Sequence, residues 1–252
     1  ITSECSLVSS GTERMIVDFS KANYINKARK QPEKVKQVIQ KIKTDGLITT
    51  LETVQARLNE IQPLGYSNVG IISEVGKGIE GFKIGDRVVS NGRHAEVVIA
   101  PEKLCAKIPE NVSNEIASFT IVASIALQGV RLAKPTLGET VVVFGLGLIG
   151  NITCQLLKIH GCNVIGFDNS SDRVNSLKQL GFKAYHSGNT NVKDVIKNEF
   201  GEEFADASII TASAKQDELI KNSAECLRKR GRIILFGICD LNLDRADFYK
   251  KE

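Results

Sequence analysis

The chain has 252 residues, 42% of them hydrophobic and 25% charged, with a formal net charge of +4. That length can bury one large core or two ordinary ones, and the composition is that of a soluble globular protein. The small net charge gives no global argument for nucleic acid as a partner, and no apolar run reaches the length of a membrane span.

The chain opens "ITSECSLVSS", without Met and without a basic-then-apolar leader, which reads as the middle of a longer polypeptide. Six cysteines (Cys5, Cys105, Cys154, Cys162, Cys226 and Cys239) are scattered, with no CxxC pair. Such spacing suggests reduced, mostly buried thiols in a cytoplasmic protein and gives no structural zinc site. His94, His160 and His186 lie far apart in sequence, and each reads as a surface or core histidine rather than a ligand.

From residue 15 to about 62 the pattern is helical. In "QPEKVKQVIQKIKTDG", Val35, Val38, Ile39 and Ile42 fall on one helical face. Pro32 suits a first turn and the Thr-Asp-Gly end suits a stop. A second helix is expected over 49–61, where Thr49 and Glu52 have capping-box spacing and Leu51, Val54, Leu58 and Ile61 line a face. The first half of this insertion is basic, with Lys21, Lys27, Arg29, Lys30, Lys34, Lys36, Lys41 and Lys43. It reads as a solvated face or as a patch for an acidic partner, such as a phosphorylated or nucleotide-linked sugar.

Residues 66 to 112 are rich in Val, Ile and Gly: "VGIISEVG", "DRVVS", "AEVVIA". These predict short strands joined by tight turns, as in a small barrel or sandwich. Pro101 and Pro109 stand at the ends of runs, where strands tolerate them.

From about 113, strand and helix patterns alternate. "TVVVF" reads as a buried strand, and Gly145, Gly147 and Gly150 form GxGxxG at its end. "NITCQLLKIHG" follows as a helix with a glycine stop, and "NVIGFD" as a second strand ending in Asp168. The first glycine permits a tight turn, the second lets backbone approach a pyrophosphate, and the third lets the helix pack close to the strand. Leu148 and Ile149 lie where a helix N-terminus offers free N–H groups to phosphates. Asp168 is placed to accept hydrogen bonds from the adenosine ribose and would repel a 2′-phosphate, so NAD is favoured. Arg173 lies near enough to accommodate that phosphate, so NADP stays open. Downstream, "ADASIITAS" predicts a buried strand, "QDELIKNSAECLRKRG" an amphipathic helix and "RIILFGI" a further strand. Successive units of this kind give a doubly wound α/β fold with a parallel sheet.

The order "GDRVV", "AEVVIAPEKLCAKIPENVS", "GETVVVFGLGLIG", "VIGFDNSSDRVNSLKQLG", "LRKRGRIILFG" resembles the medium-chain dehydrogenase/reductase superfamily, whose best-known members are zinc alcohol dehydrogenases. The resemblance covers nearly the whole chain apart from the helical insertion. It implies a GroES-like, β-rich catalytic domain over 1–112, interrupted by the insertion at about 15–62. A Rossmann domain follows over 113–252, with the active site in the cleft between the two. It also implies that the family's first strands and last Rossmann strand are missing.

In zinc members the metal is held by residues whose counterparts here are Ser10 in "SSGTE", Tyr66 in "LGYS" and Ile121 in "FTIVAS". Neutral Ser, Tyr and Ile do not make the Cys/His-type site that zinc prefers, so the resemblance implies a zinc-free member. Thr12 matches the hydroxyl residue that relays a proton in the family, and Tyr66 has a phenolic O–H at the metal-side position. Tyr66 as acid or oxyanion donor, with Thr12 beside it, is the catalytic reading; Tyr66 as filler of the space left by zinc is the alternative. Glu13 reads as a structural or orienting acid.

"SLVSSGTERMIVDFSKAN", the basic insertion and "PLGYSNVG" are similar to the dehydrogenase half of bacterial two-part oxidoreductases, in which a C-terminal sugar-oxidoreductase-like domain follows. The start is also similar to the zinc-free bacteriochlorophyllide dehydrogenase branch. Three functions follow as expectations: an NAD-dependent oxidoreductase of a sugar-derived alcohol or carbonyl, a zinc-free enone or quinone reductase, or a dinucleotide-binding module without turnover. A homodimer is one assembly the resemblance leaves open.

Overall fold

The computed structural model describes residues 1–21, 32–46, 54, 63–201, 203–212, 218–237, 243–249 and 251. It forms two compact units, Ile1–Phe119 and Thr120–Glu252. The helix expected over 49–61 lies outside the described residues.

The first unit is built on four antiparallel strands in the order β1 (Thr2–Ser6), β2 (Asn68–Ile71), β3 (Arg87–Ser90) and β4 (Cys105–Lys107). Val69, Val88, Val89 and Val98 are buried in it. Gly70 is required where β2 crosses β1, because a Cβ there would lie 2.1 Å from the Thr2 carbonyl oxygen. Between β1 and β2 come helices α1 (Ser10–Lys21) and α2 (Pro32–Asp45). A short helix α3 (Asn114–Ala117), capped by Ser113 Oγ accepting from the Ile116 amide, closes the unit. The buried Ser67 hydroxyl donates to the Ser118 carbonyl at 2.5 Å and ties α3 to the start of β2.

Several expectations are corrected here. The opening residues, left without an element by their sequence, pair as β1 with β2. Helix begins at Ser10, not 15, because the Ser9 carbonyl accepts from the Glu13 amide while Glu13 Oε1 accepts from the Ser9 amide. "AEVVIA" makes only a bridge between Val97 and Thr2 instead of a strand, and Ile99 in this run is 99% exposed. On α2, Val35, Val38 and Ile42 are half-buried as expected, whereas Ile39 is exposed.

The second unit is a parallel sheet in the order β7 (Lys183–His186), β6 (Asn163–Asp168), β5 (Thr140–Phe144), β8 (Ala205–Ile210) and β9 (Leu227–Leu235). The order runs outward in both directions from β5, as a doubly wound sheet requires. The connecting helices are α4 (Thr120–Ala133), α5 (Leu148–Ile159), α6 (Ser171–Gln179), α7 (Val192–Phe200), α8 (Glu218–Glu225) and α9 (Arg245–Tyr249). β5 is buried along its whole length. Val141 and Val143 join one core with Cys154, Leu157 and Leu177, while Val142 and Phe144 join another with Phe167, Ile210 and Ile220. This alternation is the period of two that a strand between two helical layers imposes.

"LRKRG" is strand rather than helix. α8 ends at Glu225, the Ala205 amide binds the Cys226 carbonyl, and Leu227 pairs with Ala205. The register then shifts, with Arg230 at φ 58° before Gly231, so that Arg232 pairs with Ala207. Among the described residues no helix is long and apolar enough to cross a membrane.

Candidate functional site

The glycine loop follows β5 in the second unit. Gly145 sits at φ +94°, and a Cβ there would meet the Ala212 amide at 2.6 Å. A Cβ on Gly150 would lie 1.8 Å from the Gly145 carbonyl oxygen, so the first turn of α5 folds directly onto the loop. Gly147 differs: it caps α5 with φ −65° and ψ −167°, and a Cβ there would have nothing within 4 Å. The space in front of Gly147 is therefore open, while the first and third glycines are enclosed by backbone.

Two neighbouring strands hold the loop. Asp168, at the end of β6, is buried, and its Oδ2 accepts from the Leu146 amide at 2.6 Å while Oδ1 accepts from the Ser170 amide at 2.8 Å. Thr211, just after β8, donates its hydroxyl to the Gly145 carbonyl at 2.7 Å. Leu148, Ile149 and Gly150 form the first turn of α5, whose amides have no carbonyl one turn earlier to bind. Open space, unsatisfied amides and the positive end of a 12-residue helix make a seat for an anionic group. Arg173, in α6, reaches Asp168 Oδ2 with Nη1 at 3.5 Å and is largely exposed. The residues expected at the dinucleotide loop thus come together. Thr211 was missed by sequence reasoning; its signal is a hydroxyl residue directly after a buried strand.

A pocket on the Phe144 side of the sheet is lined by Phe167, Thr190, Lys193, Leu219 and Cys226 and contains none of the expected site residues.

In the first unit, Thr12 is half-buried in the first turn of α1 and Ser10 is exposed. Tyr66 is half-buried in the lead-in to β2, directly after Gly65, which sits at φ +88°. Ile121 lies in α4 of the second unit. Among the described residues no group of three or more His, Cys, Asp or Glu side chains is arranged to hold a metal ion.

Residues 149–251 match the zinc-binding dehydrogenase family, and residues 43–110 match the alcohol dehydrogenase GroES-like domain. The chain belongs to the medium-chain dehydrogenase/reductase superfamily. Within this superfamily it is 28% identical over 148 residues to a probable D-xylulose reductase A of Neosartorya fischeri, covering 46% of this chain and 41% of that protein. It is 29% identical over 181 residues to a quinone oxidoreductase of Rattus norvegicus, covering 69% and 54%. Its fold is similar to that of an E. coli CFT073 alcohol dehydrogenase solved with NADH, with a TM-score of 0.64 and 23% identity over 75% of this chain and 65% of that one.

 It is similar too to that of a 2R,3R-butanediol dehydrogenase of Bacillus subtilis, with a TM-score of 0.66 and 23% identity over 77% of this chain and 64% of that one. The chain therefore spans about two-fifths to two-thirds of the length of these proteins.

The residues present fit a dinucleotide: an enclosed turn, an open face at Gly147, free helix amides and a buried acid one strand away. The three residues expected at a zinc site do not fit the metal that one matched family carries in its description. Ser10, Tyr66 and Ile121 offer two hydroxyls and a hydrocarbon where that metal needs thiolate, imidazole or carboxylate.

Proposed function

We propose that the chain is part of a nicotinamide-dinucleotide oxidoreductase that moves a hydride to or from an alcohol or carbonyl, sugar-derived, without catalytic zinc. The observation that carries this reading is the glycine loop, open only at Gly147 and braced by Asp168 and Thr211. When bound, the nicotinamide supplies or accepts the hydride. The amides of Leu148, Ile149 and Gly150 hold the pyrophosphate, and Asp168 takes the ribose hydroxyls and disfavours a 2′-phosphate, so NAD(H) is preferred. The Tyr66 O–H donates a hydrogen bond to the substrate oxygen and stabilises its charge, the task zinc performs elsewhere as a Lewis acid, with Thr12 handing on the proton. The relative named as a D-xylulose reductase supports a polyol or sugar substrate.

Quinone reduction is the second reading. The similarity to a quinone oxidoreductase supports it, as does a donor set poor in metal ligands. Calorimetric titration with NADH and NADPH, followed by NADH oxidation with D-xylulose and with a benzoquinone, tests both readings. NADH binding with D-xylulose turnover supports the first, and turnover with the quinone alone supports the second. Absence of binding by either cofactor rejects both.

A further inference from the structure

Three side chains of the first unit that the dinucleotide chemistry does not use stand in one hydrogen-bonded line. Ser6 Oγ lies 2.7 Å from His94 Nδ1, and His94 Nε2 lies 3.1 Å from Glu13 Oε2. They come from the end of β1, the first turn of α1 and the loop after β3, with 88 and 81 residues separating the partners. Glu13 is the inner end: it is buried, and its Oε1 is held by the Ser9 amide at 2.8 Å, which leaves Oε2 for the imidazole. His94 is a quarter exposed and Ser6 is half-buried.

The hydrogen positions follow from the partners. An ionised carboxylate only accepts, so Nε2 carries the hydrogen facing Glu13. The neutral ring then has its lone pair at Nδ1, and the Ser6 hydroxyl donates to it. Hydroxyl, imidazole and carboxylate in this order can move a proton from oxygen to the ring while the carboxylate stabilises the imidazolium that forms. The ring is also clamped in place. The His94 amide donates to the Leu64 carbonyl at 2.9 Å, and a Cβ on Gly65 would lie 2.6 Å from the His94 nitrogen and 2.7 Å from its ring. Gly65 precedes Tyr66, and Glu13 follows Thr12. Both residues assigned to catalysis are thus chain neighbours of residues that touch His94.

We propose that Ser6, His94 and Glu13 form a proton relay, in which His94 takes up the proton released on alcohol oxidation and returns it on carbonyl reduction. The relay rests on the oxidoreductase reading. In the oxidation, the substrate C–H leaves as hydride to the nicotinamide, which takes both electrons. The hydroxyl proton, handed on by Thr12, passes to Ser6 as the Ser6 proton passes to Nδ1, and the new C=O bond completes the balance. His94 acts through Ser6, and Glu13 through His94, so both are positioning residues.

The test uses the full chain with NADH and D-xylulose. His94→Gln keeps a polar side chain but cannot carry the proton, so turnover should fall by about a hundredfold with KM and NADH affinity held. In His94→Ala, added imidazole should restore about tenfold of the loss, which a packing role would not allow. Wild-type turnover in folded His94→Gln, or no rescue by imidazole, overturns the relay. Should either His94 variant fail to fold, Ser6→Ala carries the same expectation and the same overturning result. Nitrogen-15 ring spectra test the relay apart from turnover. Neutral His94 should be the Nε2–H tautomer, and Ser6→Ala and Glu13→Gln should each shift its signals but not those of His160 or His186. The Nδ1–H tautomer overturns the relay, whereas failure to bind NADH overturns the oxidoreductase reading instead.

Discussion

The Asp168 carboxylate accepts a hydrogen bond from the Leu146 amide at 2.6 Å, so the acid at the end of β6 fixes the loop at the end of its neighbour β5. Its other oxygen holds the Ser170 amide, and Arg173 stands 3.5 Å away. Asp168→Ala leaves two backbone donors without this partner and frees Arg173 from its counter-charge. NADH affinity should fall by about tenfold or more, and the preference over NADPH should shrink or reverse. Stability should drop by about 1–3 kcal/mol. Calorimetry with both cofactors and a urea melt check this; an unchanged cofactor preference would reject the role given to Asp168.

The glycines divide into a binding and a packing position. Gly147→Val places a side chain in open space that the pyrophosphate needs. The fold should survive while cofactor affinity falls by roughly a hundredfold, about 3 kcal/mol. Gly150→Ala drives a methyl against the Gly145 carbonyl, whose oxygen lies 1.8 Å from where that methyl would sit. It should lower stability by about 1–3 kcal/mol. Paired titration and thermal unfolding of the two variants separate the roles.

Tyr66→Phe removes one donor and little volume. If that hydroxyl stabilises developing charge, turnover should fall about a hundredfold with cofactor affinity nearly unchanged. Thr12→Val should also slow turnover, and the double variant should lose less than the sum if both serve one proton path. Wild-type turnover in Tyr66→Phe leaves Tyr66 as packing.

Read as the counterparts of a zinc site, Ser10, Tyr66 and Ile121 give the metal no thiolate, imidazole or carboxylate. Purified protein should hold no stoichiometric zinc by elemental analysis, and turnover should resist chelators. About one zinc per chain would show that the three positions are wrongly matched.

Burial pushes the thiols of Cys154 and Cys226 up to about 12. Both should resist iodoacetamide in the native protein at pH 8 and react once it is unfolded. The native state keeps these protons at a pH where the unfolded chain, with ordinary thiols near 9, gives them up. Their contribution to stability is therefore full below about pH 9 and is lost as pH rises toward 12. Urea midpoints measured through that range should fall. Replacing Cys226 by Ala should flatten the fall.

Much of the second unit was legible in the sequence because its signals are local. A buried run, three glycines at fixed spacing and an acid ending the next run specify strand, turn, helix and strand within the span from Thr140 to Asp168. Contacts between distant segments were not legible. Only the folded chain brings Thr211 to the Gly145 carbonyl, 66 residues away, or sets Glu13 and Ser6 on the two nitrogens of His94. The start of α1 at Ser10 and the strand over "LRKRG" belong to the same class. Periodicity reports which face of an element is apolar, whereas a hydrogen bond between side chains far apart in sequence depends on where the tertiary fold places their backbones.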